Sequence, residues 1–339
     1  MTNEGRGQES IAGWVRGPGR RLVDFALRYY IQVLLATAVL VLSAVDPQFR
    51  TFSNYENILL QSSFPGIGAA GMTLLISAGA FDLSVAGVLG LCGILLAMLS
   101  SAGLGAVAPL VVMAIGAGLG LLNGLVVTRM KIPAFIATLG MMNAYLGLAF
   151  IVTKGQVLPI SSEFLMGLGT QALFGLVPVP FLIMVALYVG CGAVLLRTLF
   201  GRQLRAIGSS PLAALTAGVP VNRVKVLCFV IVGACTALAG VLLTGELSSA
   251  NAIMASGYEL SAIAIVVVGG TSLKGGSGTL LGSFTGALFF SVINNALNMF
   301  GVGAYWQYVA SGLLLISAVG VQAVHSLVRG EERASAQEA

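Results

Sequence analysis

The sequence predicts an all-α polytopic membrane protein with about ten transmembrane segments, and three observations lead there. Apolar residues make up 57% of the 339 residues and charged ones only 9%, where soluble domains are about a quarter charged. The apolar residues are gathered into runs, and about 20 such residues in a helix are enough to cross a bilayer. The 17 lysines and arginines are spread unevenly between those runs, as they are when one face of a membrane collects the cations.

Taken in order, residues 1–28 are polar and glycine-rich, with Arg6, Arg16, Arg20, Arg21 and Arg28. They read as a retained cytoplasmic tail, too long and polar for a signal n-region. Apolar segments follow near 27–45, 62–79, 85–101, 105–127 and 133–152. After a stretch at 153–178 come segments near 179–197, 224–245, 258–270, 277–298 and 305–325, within a permease domain of 29–325 that precedes a second cytoplasmic tail, 326–339. With both termini inside, only Arg50 and Lys154 of the 17 cations fall outside. A shift by one segment in either half would spoil that split.

The central break, 198–223, is a basic island between apolar runs. Arg197, Arg202, Arg205, Arg223 and Lys225 lie in or beside it. Ser210 can cap a helix, Pro211 suits its first position, and Gly218 can close it, which predicts a helix of about two turns. Such a helix on a loop between membrane segments is shaped to touch another protein, although any cytoplasmic loop also gathers cations.

Three anchors suggest that the halves are an inverted repeat. Asp82-Leu83-Ser84 recurs as Glu259-Leu260-Ser261, Asn123 has counterparts in Asn294 and Asn295, and Gly140 matches Gly312. These pairs fall in segments of opposite direction, as inversion requires. Two glycine ridges at four-residue spacing, Gly116, Gly120 and Gly124, then Gly278, Gly282 and Gly286, predict close helix packing rather than a pore lining.

Asp82 and Ser84 stand between two short apolar segments. A carboxylate there either caps the third helix or lines a solute path beside a helix break. Glu259 is open to the same two readings. Asn123, Asn294 and Asn295 could hydrogen-bond a polyhydroxylated solute or a neighbouring helix. Cys92, Cys191, Cys228 and Cys235 lack metal-ligand spacing and read as buried free thiols. No Gly-Lys dipeptide occurs, so the chain has no Walker-type phosphate loop, and any ATP that drives it binds elsewhere.

Four stretches in order resemble one family, the membrane permeases of bacterial ABC importers for ribose, xylose, galactose and related monosaccharides. They are GMTLLISAGAFDLSVAGVLGL at 71–91, IPAFIATLGMM at 132–142, GRQLRAIGSSPLAALTAGVPVNRVKVLCFVIVGACTALAGVLL at 201–243, and SGYELSAIAIVVVGGTSLKGGSGTLLGSFTGAL at 256–288. The resemblance implies a type II ABC importer-like permease in the bacterial inner membrane, a homodimer or a pair with a similar permease. A pair of ATP-binding subunits holding ATP and Mg would sit below it and a periplasmic sugar-binding protein above. It also implies that Pro211, Leu212, Ala213, Ala214, Leu215 and Gly218 form the helix coupled to the ATPase. An anion at Ala214 is then expected to abolish transport while leaving the protein folded. Ser261 stands where the family commonly has an acid, and Leu146 where an arginine is frequent. No metal or cofactor site of the chain's own is expected. Permeases for branched-chain amino acids or nucleosides, and an ion-coupled secondary transporter, are the alternatives.

Overall fold

The computed structural model describes residues 29–303, 305–317 and 319–320, so the tails 1–28 and 326–339 and His325 lie outside the described residues. Helix α1 spans Tyr30–Val45, and a 3-10 turn at Pro47–Arg50 leads into α2, Phe52–Ser77. Helix α3, Val85–Leu99, runs on through a π turn at Ser100–Leu104; α4 is Ala108–Arg129 and α5 is Ala134–Thr153. Two-residue strand β1, Leu158–Pro159, precedes a short α6, Glu163–Thr170, and a hairpin of β2, Ala172–Leu173, with β3, Val177–Pro178. Then come α7, Val179–Arg197, α8, Leu199–Ser209, α9, Pro211–Thr216, and α10, Val221–Leu247. Strand β4, Ser249–Ala250, pairs antiparallel with β1, and α11, Tyr258–Val268, and α12, Leu280–Met299, follow, with residues 305–317 also helical.

Among the described residues a helix therefore occupies each of the ten predicted segments, the tenth only as far as residue 320, but several bounds move. Seven helices among the described residues are long and apolar enough to cross a membrane; α1 and α11 are apolar but shorter. The second segment starts at Phe52, not 62, because α2 carries Asn54, Glu56, Asn57 and Gln61 in its first turns. Those polar residues hid a helix whose remaining length is apolar. The island holds two helices where one was predicted: α8 is amphipathic, burying Gly201, Leu204 and Ile207 while Arg202 stays exposed.

Helix α2 is buried almost continuously from Ser62 to Ser77, and α10 is the other central element. Their partners are exchanged between the halves. Helix α10 packs mainly on α4, with α2 and α3 next, while α2 packs on α10, α12, α7 and α11. Thus the helix that follows each broken corner lies against the central helix of the other half, which is the pairing an inverted repeat produces.

The glycines explain how closely α4 and α10 meet. A methyl group added at Gly120 would overlap the Phe229 carbonyl oxygen, one at Gly116 would overlap Ala237, and one at Gly124 would come 3.0 Å from Val226 Cα. Gly233 answers from α10, where an added methyl would overlap the Gly116 carbonyl oxygen. In lipid, helices gain nothing by hiding apolar surface from each other, so this backbone-to-backbone van der Waals contact supplies the association. The second ridge differs from expectation. Gly278 precedes α12 and lies against Ser77 of α2, while Gly282 and Gly286 pack on the carbonyls of Gly269 and Ile265 at the end of α11.

Gly120→Ala is expected to destabilise the α4–α10 contact by about 1–3 kcal/mol, the usual cost of overpacking. Gly190→Ala, where an added methyl meets nothing within 4 Å, should not lower the melting temperature in detergent, since alanine favours the helix. Equal melting curves for the two variants would contradict the packing described.

Candidate functional site

Three places bear on function. The first is the island. Thr198 caps α8 through its Oγ1, which accepts from Gly201 N at 3.2 Å, and Arg205 Nη1 donates to the Leu195 carbonyl at 3.0 Å, satisfying an end carbonyl of α7. Ser210 Oγ accepts from Ala213 N at 3.3 Å at the start of α9, and Gly218 follows the helix with φ +80°. That backbone suits glycine because it has no Cβ. Pro211 and Ala213 are exposed, and Leu212 and Leu215 are 73% and 60% exposed. Ala214 is only 4% exposed and belongs to the buried core. The expectation placed on Ala214 is thereby corrected: its methyl seats α9 on the bundle, and the face offered outward carries the two leucines.

The island is joined tightly to the helix ends above it. A methyl group added at Gly208 of α8 would overlap Ser77 O and Gly276 N, and one at Gly275 would lie 2.9 Å from Gly79 Cα. Gly276 N donates to Ser77 O at 3.1 Å. Gly79, Gly275 and Gly276 all have positive φ. The end of α8, the end of α2 and the turn between α11 and α12 therefore meet backbone to backbone.

The second place is the corner between α2 and α3. Asp82 is 1% exposed; its Oδ1 accepts from Ser84 N at 2.8 Å and its Oδ2 from Asn123 Nδ2 at 3.3 Å. Asn123 Nδ2 also donates to Ser84 Oγ at 2.6 Å, and Asn123 Oδ1 accepts from Tyr145 Oη at 2.8 Å. Leu83 N donates to Thr138 Oγ1 at 3.1 Å. The carboxylate thus closes a turn at the head of α3 and ties that turn to α4, while Leu83 ties it to α5. Three of the predicted site residues, Asp82, Ser84 and Asn123, come together in one buried cluster. Thr138 and Tyr145 belong to it as well. A threonine and a tyrosine inside an apolar helix carry no signal of that role in sequence.

The counterpart corner is built differently. Gly257, φ +80°, is the N-cap of α11, so Glu259 lies within the first turn rather than at the cap, and its Oε2 has no hydrogen-bond partner among the described residues. Asn295 Nδ2 donates to Asn54 Oδ1 of α2 at 2.8 Å, across the halves. The DLS and ELS stretches are therefore not equivalent, because one acid precedes its helix and the other is inside it.

The third place is a cavity of about 450 Å³ at the end of the bundle away from the island, where Asn294 and Asn295 meet α2 and the loop before α11. Asn57, Gln61, Asn298 and Gln307 contribute further amides to its wall. Asn57, Gln61 and Gln307 escape sequence reasoning, the first two because they precede the predicted start of the second segment. Among the described residues no cluster of His, Cys, Asp and Glu could hold a metal ion, and Cys92, Cys191, Cys228 and Cys235 are free and buried.

A polytopic helical bundle with broken corners, an amide-lined cavity at one end and a helix held outward at the other has the build of a membrane permease. The comparisons give the family. Residues 54–319 match the family described as "Branched-chain amino acid transport system / permease component", and the chain belongs to it. It is 41% identical over 290 residues to the ribose import permease protein RbsC of Bacillus subtilis, covering 83% of this chain and 88% of that one. It is 38% identical over 296 residues to the L-arabinose transport system permease protein AraH of Escherichia coli, covering 86% and 89%. It is also 38% identical over 289 residues to a probable ABC transporter permease protein, YphD, of Escherichia coli, covering 85% and 86%. No solved structure matches the chain.

Asn123→Leu would leave Asp82 and Tyr145 without their shared partner. It is expected to cost about 1–3 kcal/mol, as orphaned buried polar groups do, read as a lower melting temperature. Asn143→Leu, at an exposed amide bonded only to the Leu139 carbonyl of its own helix, should shift stability by no more than about 0.5 kcal/mol. A neutral Asn123→Leu would remove the corner from the architecture.

Proposed function

We propose that this chain is the membrane permease subunit of a bacterial ABC importer, forming the path for a ribose-, xylose- or galactose-like monosaccharide. A periplasmic binding protein would deliver the sugar, and a separate ATP-binding subunit, carrying ATP and Mg, would drive its passage. The observation that carries this reading is α9, held outward on the island with Leu212 and Leu215 exposed. Similarity to permeases named for ribose and arabinose supports the substrate class. The split of cations supports ten spans with both termini cytoplasmic, because only Arg50 and Lys154 then lie outside. The chain acts with a second copy or a similar permease around a shared path, and performs no covalent chemistry of its own.

Mechanically, the reading is alternating access. ATP binding closes the partner subunits and α9 moves with them. The close backbone contacts at Gly208, Gly79 and Gly275 then pass that motion to the ends of α2 and the α11–α12 turn. Glycine-packed helices move as bodies because interdigitated backbones resist continuous deformation.

The test is to extract the tagged protein gently from its native membrane and identify what co-purifies. A stoichiometric ATP-binding subunit is the expected result; a folded permease that repeatedly emerges alone would count against the reading. Leu212→Asp with Leu215→Asp should yield folded permease that has lost the ATPase, since a buried contact would now hold unpaired charge. Ala214→Asp should instead lower the yield of folded protein, because that position faces the core.

A further inference from the structure

We infer that the amide-lined cavity is a solute-contact site within this single chain, built for an uncharged, polyhydroxylated molecule. It deepens the reading above, on which the choice of sugars as probes rests. The cavity, about 450 Å³, falls in the usual range for small-molecule sites.

Its wall is chemically selective. Among the described residues six carboxamides line it, Asn57, Gln61, Asn294, Asn295, Asn298 and Gln307, and no Asp, Glu, Lys or Arg does. Each amide offers donors and an acceptor, and each hydroxyl of a sugar both donates and accepts, so the two sets can pair at any hydroxyl. A phosphate or a zwitterion would leave water for a wall that supplies no opposite charge, at a cost several hydrogen bonds do not recover. Phe64 and Phe290 supply apolar wall beside the amides, as the C–H faces of a sugar ring require. Tyr258 is a fixed part of that wall, since its Oη donates to the Phe64 carbonyl at 2.9 Å.

Asn295 is a fixed piece of this wall. It is only 8% exposed, and its Nδ2 is committed to Asn54 Oδ1 at 2.8 Å. Its Oδ1, without a hydrogen-bond partner among the described residues, is shielded from the cavity, so the amides that a solute meets are those of Asn57, Gln61 and Asn294. Asn298 differs, because its Oδ1 already accepts from Gln307 Nε2 at 2.7 Å and closes the side of the cavity.

Cysteine protection tests the assignment on the full chain in lipid nanodiscs. Ser256 lines the cavity and is exposed, so Ser256→Cys provides a reporter above the low background of four buried native thiols. D-ribose and L-arabinose are expected to slow its reaction with a methanethiosulfonate reagent severalfold, while ribose 5-phosphate and L-leucine leave the rate unchanged. Adding Asn294→Leu should remove protection without altering the unprotected rate, and Asn57→Leu serves if that variant does not fold. Equal protection by the charged probes, no protection by either sugar, or full protection in the asparagine variants would each overturn the inference. Co-purification of the ATP-binding subunit from the same preparation separates the two readings. With that subunit present and no sugar protection, the cavity assignment fails alone.

Discussion

Close approach of backbones between α4 and α10 is the constraint from which the rest of this bundle follows. Lipid tails are as apolar as leucine, so side-chain hydrophobicity does not drive one spanning helix onto another. The contact must come from van der Waals fit, and that is best where glycine removes the side chain. Gly116, Gly120 and Gly124 on one helix and Gly233 on the other leave so little room that a single methyl overlaps a carbonyl oxygen. This fixes one half of the chain to the other and sets where the corners and the island can lie.

Fixing two helices this tightly creates a second demand, since both halves contain broken corners whose backbone groups cannot be left unpaired away from water. The corner at Asp82 meets it with a carboxylate, two asparagine contacts and a threonine hydroxyl. At the end of α2 in that same corner, and in the turn between α11 and α12, the answer is glycine. Gly79, Gly275 and Gly276 adopt left-handed backbone that lets the chain turn and still approach Gly208. The island is thereby tied to both halves through rigid contacts rather than by a flexible strap, and that gives an outward-facing helix a mechanical route to the centre of the bundle.

The cavity follows from the same geometry. Helix α2 begins well before its apolar stretch, and its polar first turns lie beside the polar last turns of α12, joined by the Asn54–Asn295 hydrogen bond. Neither set of amides would be informative alone. Brought together from opposite halves they form one uncharged, hydrogen-bonding wall.

Much of this was legible in the sequence because membranes impose simple rules. Length and polarity locate spans, cations mark one face, and Ser210, Pro211 and Gly218 announce a short helix in the island. Four-residue glycine spacing also announced close packing on α4, since glycine in a spanning helix leaves only a packing surface behind. What stayed hidden was decided between helices. Ala214 and Leu215 are neighbours in an equally apolar run, and only the packing of α9 on the core settles that one faces in and the other out. Asp82 and Glu259 open similar tripeptides, yet one precedes its helix and pairs with Asn123 while the other lies inside its first turn. The sequence by itself determined that the chain is a many-helix membrane protein with a short capped helix in a basic island at its centre, because polarity and cap residues act locally. Only the tertiary structure decided which polar groups meet, because a hydrogen bond between Asn54 and Asn295 depends on how two halves pack and not on what either half contains.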